Sequence, residues 1–359
     1  MNKPAYIIAE AGVNHNGSLE QAFLLVDAAA EAGADAVKFQ TFKADKLVSR
    51  AAAKAEYQIG TTGKNESQHE MIRKLELDEA AHMRLLQHCR SKGIEFLSTP
   101  FDLESLDMLV SRFDLSRIKL ASGEITNGPF LLAAARTGKP TILSTGMSNL
   151  GDVEMALAVL AFGYTCPEAI PSLAAFEAAY CSDDGRSALS DKVTLLHCTT
   201  EYPAPLAAVN LRVMETLRQA FRLPVGYSDH TSGIAIAIAA AALGATVIEK
   251  HFTLDRNLPG PDHQASLEPE ELKQMVRSIR EVETALGSSV KQPAPCERGN
   301  RSVARKSLVA ARPIGKGEHF SIGNLTVKRP GDGISPMYYW DWLGKPADRD
   351  YQADDKVGS

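Results

Sequence analysis

Two histidines stand at the ends of two short apolar runs, His230 in PVGYSDHTSG and His251 in ATVIEKHFTL, with an alanine-rich stretch between them. Read as strand, loop, helix and strand, the segment delivers one imidazole from each strand end. Side chains alternate faces along a strand, so Gly226, Ser228 and His230 share one face, as do Val247, Glu249 and His251. Two imidazoles on neighbouring strand ends suit a divalent metal, with Glu249 and Asp229 near enough to orient them. Taken alone, the pair reads more readily as two core histidines satisfied by backbone carbonyls. The other strand ends change that balance.

Eight short apolar runs alternate with patterns of helical period: Ala5–Ala11, Ala36–Phe42, Glu95–Pro100, Arg117–Ser122, Pro140–Thr145, Val193–Thr199, Pro224–Asp229 and Ala245–Phe252. Ser18, Asp102 and Asn210 stand where helix starts are wanted, and Gly33, Gly93, Gly138 and Gly244 just past helix ends. Such alternation means parallel strands joined by helical crossovers, and eight units predict a (β/α)8 TIM barrel. An open doubly wound sheet is the competing architecture, but no GxGxxG follows the first strand. Polar residues gather where the runs end: Glu10, Asn14 and His15; Lys38 and Gln40; Ser98 and Thr99; Lys119, Ser122 and Glu124; Ser144 and Thr145; Thr199, Thr200 and Tyr202; then His230 and His251. In a barrel these ends share the rim that carries active sites.

Two segments interrupt the rhythm. Lys43 to Glu70 reads as a long polar loop, either a lid or a solvated connection. Gly163 to Asp191 reads as a surface insertion. The barrel is expected over residues 1–287, a Pro-containing linker over 288–302, and a small β-rich domain over 303–359 that is marginal by itself.

The chain of 359 residues is 44% hydrophobic and 23% charged, with a formal net charge of −5, which argues against nucleic acid or an anionic membrane as partner. The apolar run before Glu10 is short for a signal peptide, and no run approaches the ~20 residues of a bilayer span. Five scattered cysteines without a CxxC read as reduced core thiols, so a cytoplasmic location is expected.

A rim with Lys38, Lys119, several hydroxyls and two histidines can hold a phosphorylated anion beside a metal that polarises a carbonyl. Ser122, Ser144, Thr145 and Ser228 supply hydrogen bonds, and Glu10 and Glu124 are candidates for proton transfer or for gripping sugar hydroxyls. Two imidazoles leave other coordination positions to water and substrate, which suits Mn²⁺ or Mg²⁺. The same rim allows a Schiff-base aldolase or lyase acting on a keto acid, with Lys119 the better-placed amine, since Lys250 points away from His251. A non-catalytic glycan-binding protein is the third class, which leaves so furnished a rim without a purpose.

The stretches IIAEAGVNHNGS, AVKFQTFKADKL, FLSTPFD, KLASGEITN, LLHCTTEYPAP, VGYSDHTSG, IEKHFTLDRNLPGPDH and VKRPGDGISPM run through the whole chain. Together they resemble the bacterial sialic acid (nonulosonic acid) synthase family, whose last domain is the antifreeze-like SAF domain of β-clip type. The resemblance implies condensation of phosphoenolpyruvate with an N-acetylated mannosamine-type sugar, assisted by a divalent metal, with phosphate released by C–O cleavage. It implies that His230 and His251 bind the metal, and that Lys38, Thr99, Lys119, Ser122 and Ser144 hold phosphoenolpyruvate. Glu10, Gln40, Asn65, Tyr202 and Asp262 are then expected to meet sugar or water, with Glu124 near the reacting centre. Thr200, Ser228 and Glu249 join the substrate-binding set. It further implies a domain-swapped homodimer in which Arg329 contacts the sugar's N-acetyl group. KLELDEAAH, SGEITN, TGMSNLG and HCTTEYPAP look more like the branch that takes 2,4-diacetamido-2,4,6-trideoxymannose to legionaminate than the branch that takes N-acetylmannosamine to N-acetylneuraminate.

Overall fold

The computed structural model describes residues 3–50, 52–54, 56–63 and 65–358. Eight parallel strands form one sheet: β1 Tyr6–Gly12, β2 Ala36–Thr41, β3 Glu95–Pro100, β4 Ile118–Leu120, β5 Thr141–Ser144, β6 Val193–Cys198, β7 Val225–Asp229 and β8 Val247–His251. Their order is β3-β2-β1-β8-β7-β6-β5-β4, and β3 lies against β4, so the sheet curls into a nearly closed cylinder. Each crossover returns through helix, the arrangement that parallel strands require. The strand register stacks the inward side chains in layers. Ile8, Ala36, Leu97, Ile142, Leu196 and Val247 form an apolar plug in the floor. One residue pair further along each strand, the inward positions turn polar.

The helices cover the outside with a large apolar core that includes Ile7, Leu25, Val37, Phe39, Leu85, Leu157 and Ile279. Local chemistry sets their ends as anticipated at several points. Ser18 Oγ accepts from Gln21 N at the head of Leu19–Glu31, and Asp102 accepts from Ser105 N at the head of Leu103–Asp107. Gly33, Gly93, Gly138 and Gly244 all have positive φ. Asn210 differs from expectation. It closes the short helix Leu206–Val209 in a left-handed conformation, and Val213–Phe221 starts without a side-chain cap. Asparagine is among the few residues that enter that region readily.

Both irregular segments are more ordered than their composition suggests. Within 43–70 lie helices Ala44–Leu47, Glu56–Thr62 and the first part of Gln68–Arg73, while Ala51, Ala55 and Lys64 fall outside the described residues. Met71, Ile72 and Leu75 bury against Val13 and Phe42, and Lys54 Nζ donates to Thr62 Oγ1 at 2.9 Å. The excursion begins later than expected, because helix Leu150–Thr165 runs through Gly163. It then forms Leu173–Cys181 and Asp183–Lys192, with Phe176 edge-on to Phe162 at 5.2 Å. Two of the five cysteines, Cys181 and Cys296, are exposed rather than in the core, and all five are free thiols.

The chain divides into two compact units after Gly287. The second carries an antiparallel pair, β9 Ser307–Ala310 and β10 Leu325–Lys328, around a core of Leu308, Ile314, Phe320, Leu325, Tyr351 and Val357. The stretch anticipated as linker contains a short helix, Arg298–Ala304, tied to this unit by Gly331 N donating to Ser302 O at 2.7 Å. Among the described residues, no helix is long and apolar enough to cross a membrane.

Candidate active site

The mouth of the cylinder is built from inward positions at the ends of the strands. Lys38 enters from β2 and Lys119 from β4, and both are buried. Lys38 Nζ lies 2.5 Å from Glu10 Oε2 and donates to Thr99 Oγ1 at 2.8 Å. Lys119 Nζ donates to Ser144 Oγ at 2.7 Å. Glu249 of β8 stands between them, 3.5 Å from each ammonium, and accepts from Ser228 Oγ at 2.8 Å. Two ammonium groups and two carboxylates therefore share one desolvated space, with hydroxyls at its edge.

Their titration follows from that grouping. Burial pushes Glu249 up, but Lys119, Lys38 and the Ser228 hydroxyl more than offset it, leaving the carboxyl well below the usual range. Burial raises Glu10 above its ordinary value, and the Lys38 charge counters this only in part. For Lys38 the two carboxylates outweigh desolvation and its pKa is raised, whereas Lys119 is left lowered by burial. At neutral pH Glu249 is the fixed anion of the cluster and Glu10 the adjustable one.

The two imidazoles meet beside it, with ring centroids 5.5 Å apart, and Tyr202 packs on both at 4.2 and 5.5 Å. His230 Nδ1–H donates to the Thr199 carbonyl at 2.7 Å, which leaves the Nε2 lone pair directed inward, 3.4 Å from Ser228 Oγ. The Ser228 proton goes to Glu249, so that lone pair is uncommitted. Among the described residues His251 Nδ1 has no hydrogen-bond partner; it is buried, 3.9 Å from Asp262 Oδ2. Burial lowers the pKa of both rings, so they are neutral, the form that ligates metal. Among the described residues no group of three or more His, Cys, Asp or Glu is placed to hold a metal. The donor set fits an ion held by two imidazoles and completed by water or substrate oxygens.

Strand alternation also corrects part of the expected set. Asp229 does not orient the histidines: it faces outward, where Oδ2 pairs with buried Lys250 at 2.9 Å and Oδ1 accepts from Thr231. The Thr199 carbonyl takes the orienting role instead. Ser98 and Thr145 also face away from the mouth, bonded to Thr41 Oγ1 and the Leu196 carbonyl. Asn14 holds Phe252 O and Ser266 Oγ, while His15 is buried 6.1 Å from the Phe39 ring, so both brace loops rather than line the mouth.

Around the first strand, Gln40 Nε2 lies 3.5 Å from Glu10 Oε1. Gly12, at φ 53, leaves space that a Cβ would fill, 3.3 Å from Glu10, 3.5 Å from Gln40 and 3.7 Å from Asp262. These three polar groups thus converge on one wall. Burial raises the Asp262 carboxyl to about 6. On the opposite side Ser122 Oγ accepts from Gly146 N at 3.0 Å, and the buried Thr200 hydroxyl has no partner among the described residues. Glu124 lies two residues on in the same short turn, Ser122–Glu124, and its carboxylate accepts from the Asn127 side-chain amide at 2.7 Å. Asn65 is exposed on the segment before helix Gln68–Arg73. Arg329 belongs to the second unit, where it is exposed. Sequence reasoning passed over Cys198, although its place two residues after inward Leu196 puts it on the same face. It also passed over the closely approached Gly146.

A (β/α)8 barrel with two buried lysines and two neutral imidazoles gathered at its mouth is furnished as barrel enzymes are. The NeuB family profile matches residues 25–291 and the SAF domain profile residues 305–355. The chain is 52% identical over 355 residues to the N,N'-diacetyllegionaminic acid synthase of Campylobacter jejuni, covering 99% of each chain. It is 49% identical to the enzyme of the same name from Legionella pneumophila, over 92% of this chain and 87% of that one. Among solved structures, the N-acetylneuraminic acid synthetase of Leptospira borgpetersenii aligns with a TM-score of 0.66 at 32% identity, covering 83% of this chain and 90% of that one. The chain belongs to the NeuB family, with a SAF domain following its barrel.

Proposed function

We propose that this enzyme condenses phosphoenolpyruvate with 2,4-diacetamido-2,4,6-trideoxymannose to give N,N'-diacetyllegionaminate and phosphate. The single observation that carries the reaction class is the lysine pair flanking Glu249 next to the two imidazoles. The choice of sugar rests on two whole-chain relatives at 52% and 49% identity that bear the legionaminic acid synthase name.

Lys38 and Lys119 hold the carboxylate and phosphate of phosphoenolpyruvate, with Thr99, Ser122 and Ser144 donating hydrogen bonds, while Ser228 spends its proton on Glu249 and fixes that carboxylate between the lysines. Thr200, with its unpartnered hydroxyl, adds a further donor. His230 and His251 would hold a divalent ion, Mn²⁺ or Mg²⁺, which when bound would supply Lewis-acid polarisation of the sugar aldehyde. C3 of phosphoenolpyruvate then forms the new C–C bond to that aldehyde carbon, whose oxygen takes up a proton. Water adds to C2, and the tetrahedral centre expels phosphate as the C–O bond breaks. Glu10 and Asp262, whose proton affinities are raised by burial, handle the protons, while Gln40 and Tyr202 meet sugar hydroxyls. Asn65, Glu124 and Arg329 act on the sugar side, Arg329 from the second subunit of a domain-swapped homodimer. The work is done in the cytoplasm.

Offering the purified enzyme each candidate amino sugar with phosphoenolpyruvate and Mn²⁺, and following phosphate release, tests this reading. Release with the diacetamido sugar, well above that with N-acetylmannosamine, is expected. The lowered pKa of Lys119 gives the Schiff-base alternative its one foothold. Borohydride treatment with substrate present is expected to leave the enzyme active, whereas EDTA silences it. The reverse pattern overturns the condensation mechanism.

A further inference from the structure

Cys198 is a buried thiol on the inner face of β6, outside the residues proposed to touch substrate or metal. Its Sγ lies 3.1 Å from Ser122 Oγ, and the same oxygen accepts the Gly146 backbone N–H at 3.0 Å. The fit around Gly146 is close on every side. A Cβ there would lie 2.9 Å from Cys198 Sγ, 2.8 Å from Ser122 Oγ and 2.3 Å from Thr200 Oγ1, so the β5 and β6 loops are pressed together at this hydroxyl.

A serine hydroxyl has one proton and two lone pairs. Gly146 N–H fills one lone pair. If the Ser122 proton were spent on sulfur, nothing would remain for an incoming anion. If the thiol donates instead, both lone pairs are filled and the proton can point only into the mouth. Burial pushes the Cys198 thiol up, so it keeps its own proton.

We propose that Cys198 is a positioning residue: with the Gly146 N–H, its S–H fixes the Ser122 hydroxyl as an obligate donor to the phosphate of phosphoenolpyruvate. This rests on the reading of Ser122 as a phosphoenolpyruvate contact, and it adds a role for a residue outside that set. The contribution is to binding one substrate, so the consequence falls on KM for phosphoenolpyruvate rather than on the sugar.

The test is a double-mutant cycle in the full-length enzyme, with KM measured for both substrates and phosphate binding followed by calorimetry with inorganic phosphate. Cys198→Ala is expected to raise KM for phosphoenolpyruvate about fivefold, on the order of 1 kcal/mol, with KM for the sugar within about twofold. Cys198→Ser, which keeps a donor, restores it. In a Ser122→Ala background, Cys198→Ala has no further effect. Should Cys198→Ala fold poorly, Cys198→Val, which fills the site without offering a donor, carries the test and is expected to give the same selective rise. The proposal is overturned by equal losses for both substrates, by a Ser variant no better than Ala, or by a Cys198→Ala effect that persists without Ser122. If Ser122→Ala itself leaves KM for phosphoenolpyruvate unchanged, the underlying contact is wrong and the inference goes with it. A Ser122 effect without any Cys198 effect sinks the inference alone.

Discussion

Replacing Glu249 by Gln removes the carboxylate that sits 3.5 Å from both Lys38 and Lys119 while keeping its shape and a partner for Ser228. Removing one member of a buried ion pair typically costs about 3–5 kcal/mol, because the remaining charge is left uncompensated. The variant has one escape: a lysine can lose its proton. At pH 7 that costs about 1.4 kcal/mol for each of the roughly 3.4 pH units separating it from the free lysine value, or about 4.6 kcal/mol, so it brings little relief. Near pH 9 it costs only about 2 kcal/mol. Lys119, already lowered by burial, is the group that yields. The folded variant then holds fewer protons than its unfolded chain, so its stability rises with pH relative to wild type. Urea unfolding of the two proteins is therefore expected to differ by about 3–5 kcal/mol near pH 7, shrinking to about 2 kcal/mol near pH 9. An added anion restores the missing charge, so phosphoenolpyruvate stabilises the variant more than wild type. A stability difference that is flat with pH would refute the reasoning, since it would mark lost packing rather than an exposed charge imbalance.

The remaining expectations concern other parts of the molecule. His251→Ala is expected to abolish turnover and weaken Mn²⁺ binding in calorimetry, and unchanged kinetics would remove the metal assignment. On the proposed contact with the sugar's N-acetyl group, Arg329→Ala is expected to raise KM for the sugar about tenfold or more, the loss of one charge-assisted hydrogen bond, while leaving KM for phosphoenolpyruvate in place. Buried His263, whose pKa falls from 6.5 to about 4 chiefly through desolvation, binds Thr253 Oγ1 and Asn16 Oδ1 as a neutral ring. Its lowered pKa stabilises the fold above about pH 6.5, and that contribution is lost as pH falls toward 4. The stability advantage of wild type over His263→Asn should thus shrink by about 2 kcal/mol between pH 7 and pH 5. A constant advantage in parallel urea titrations would show that the ring is not neutral in the native state.

How far the sequence reached is set by what a side-chain pattern can encode. Period-two alternation was enough to place Ser228 with His230 and Glu249 with His251, and all four do meet at one mouth. The same rule, carried through, assigns Asp229 to the outer face with Lys250, where the pair is fully buried. Sequence proximity to His230 overrode it in the expectation. The actual orienting group, the Thr199 carbonyl, has no side-chain signature, because every residue carries one. Register was equally hidden. Glu249 neutralises two lysines at once only because the offset between β8, β2 and β4 brings their side chains to one height, and pairing order leaves no mark on composition. Gly146 shows the complementary limit. Its sequence says that a side chain is missing, but only the approach of Ser122, Cys198 and Thr200 says why none is tolerated. Glycine and cysteine at the ends of neighbouring strands therefore become informative about a hydroxyl donor once the cylinder is closed, and that is where substitutions can separate substrate binding from stability.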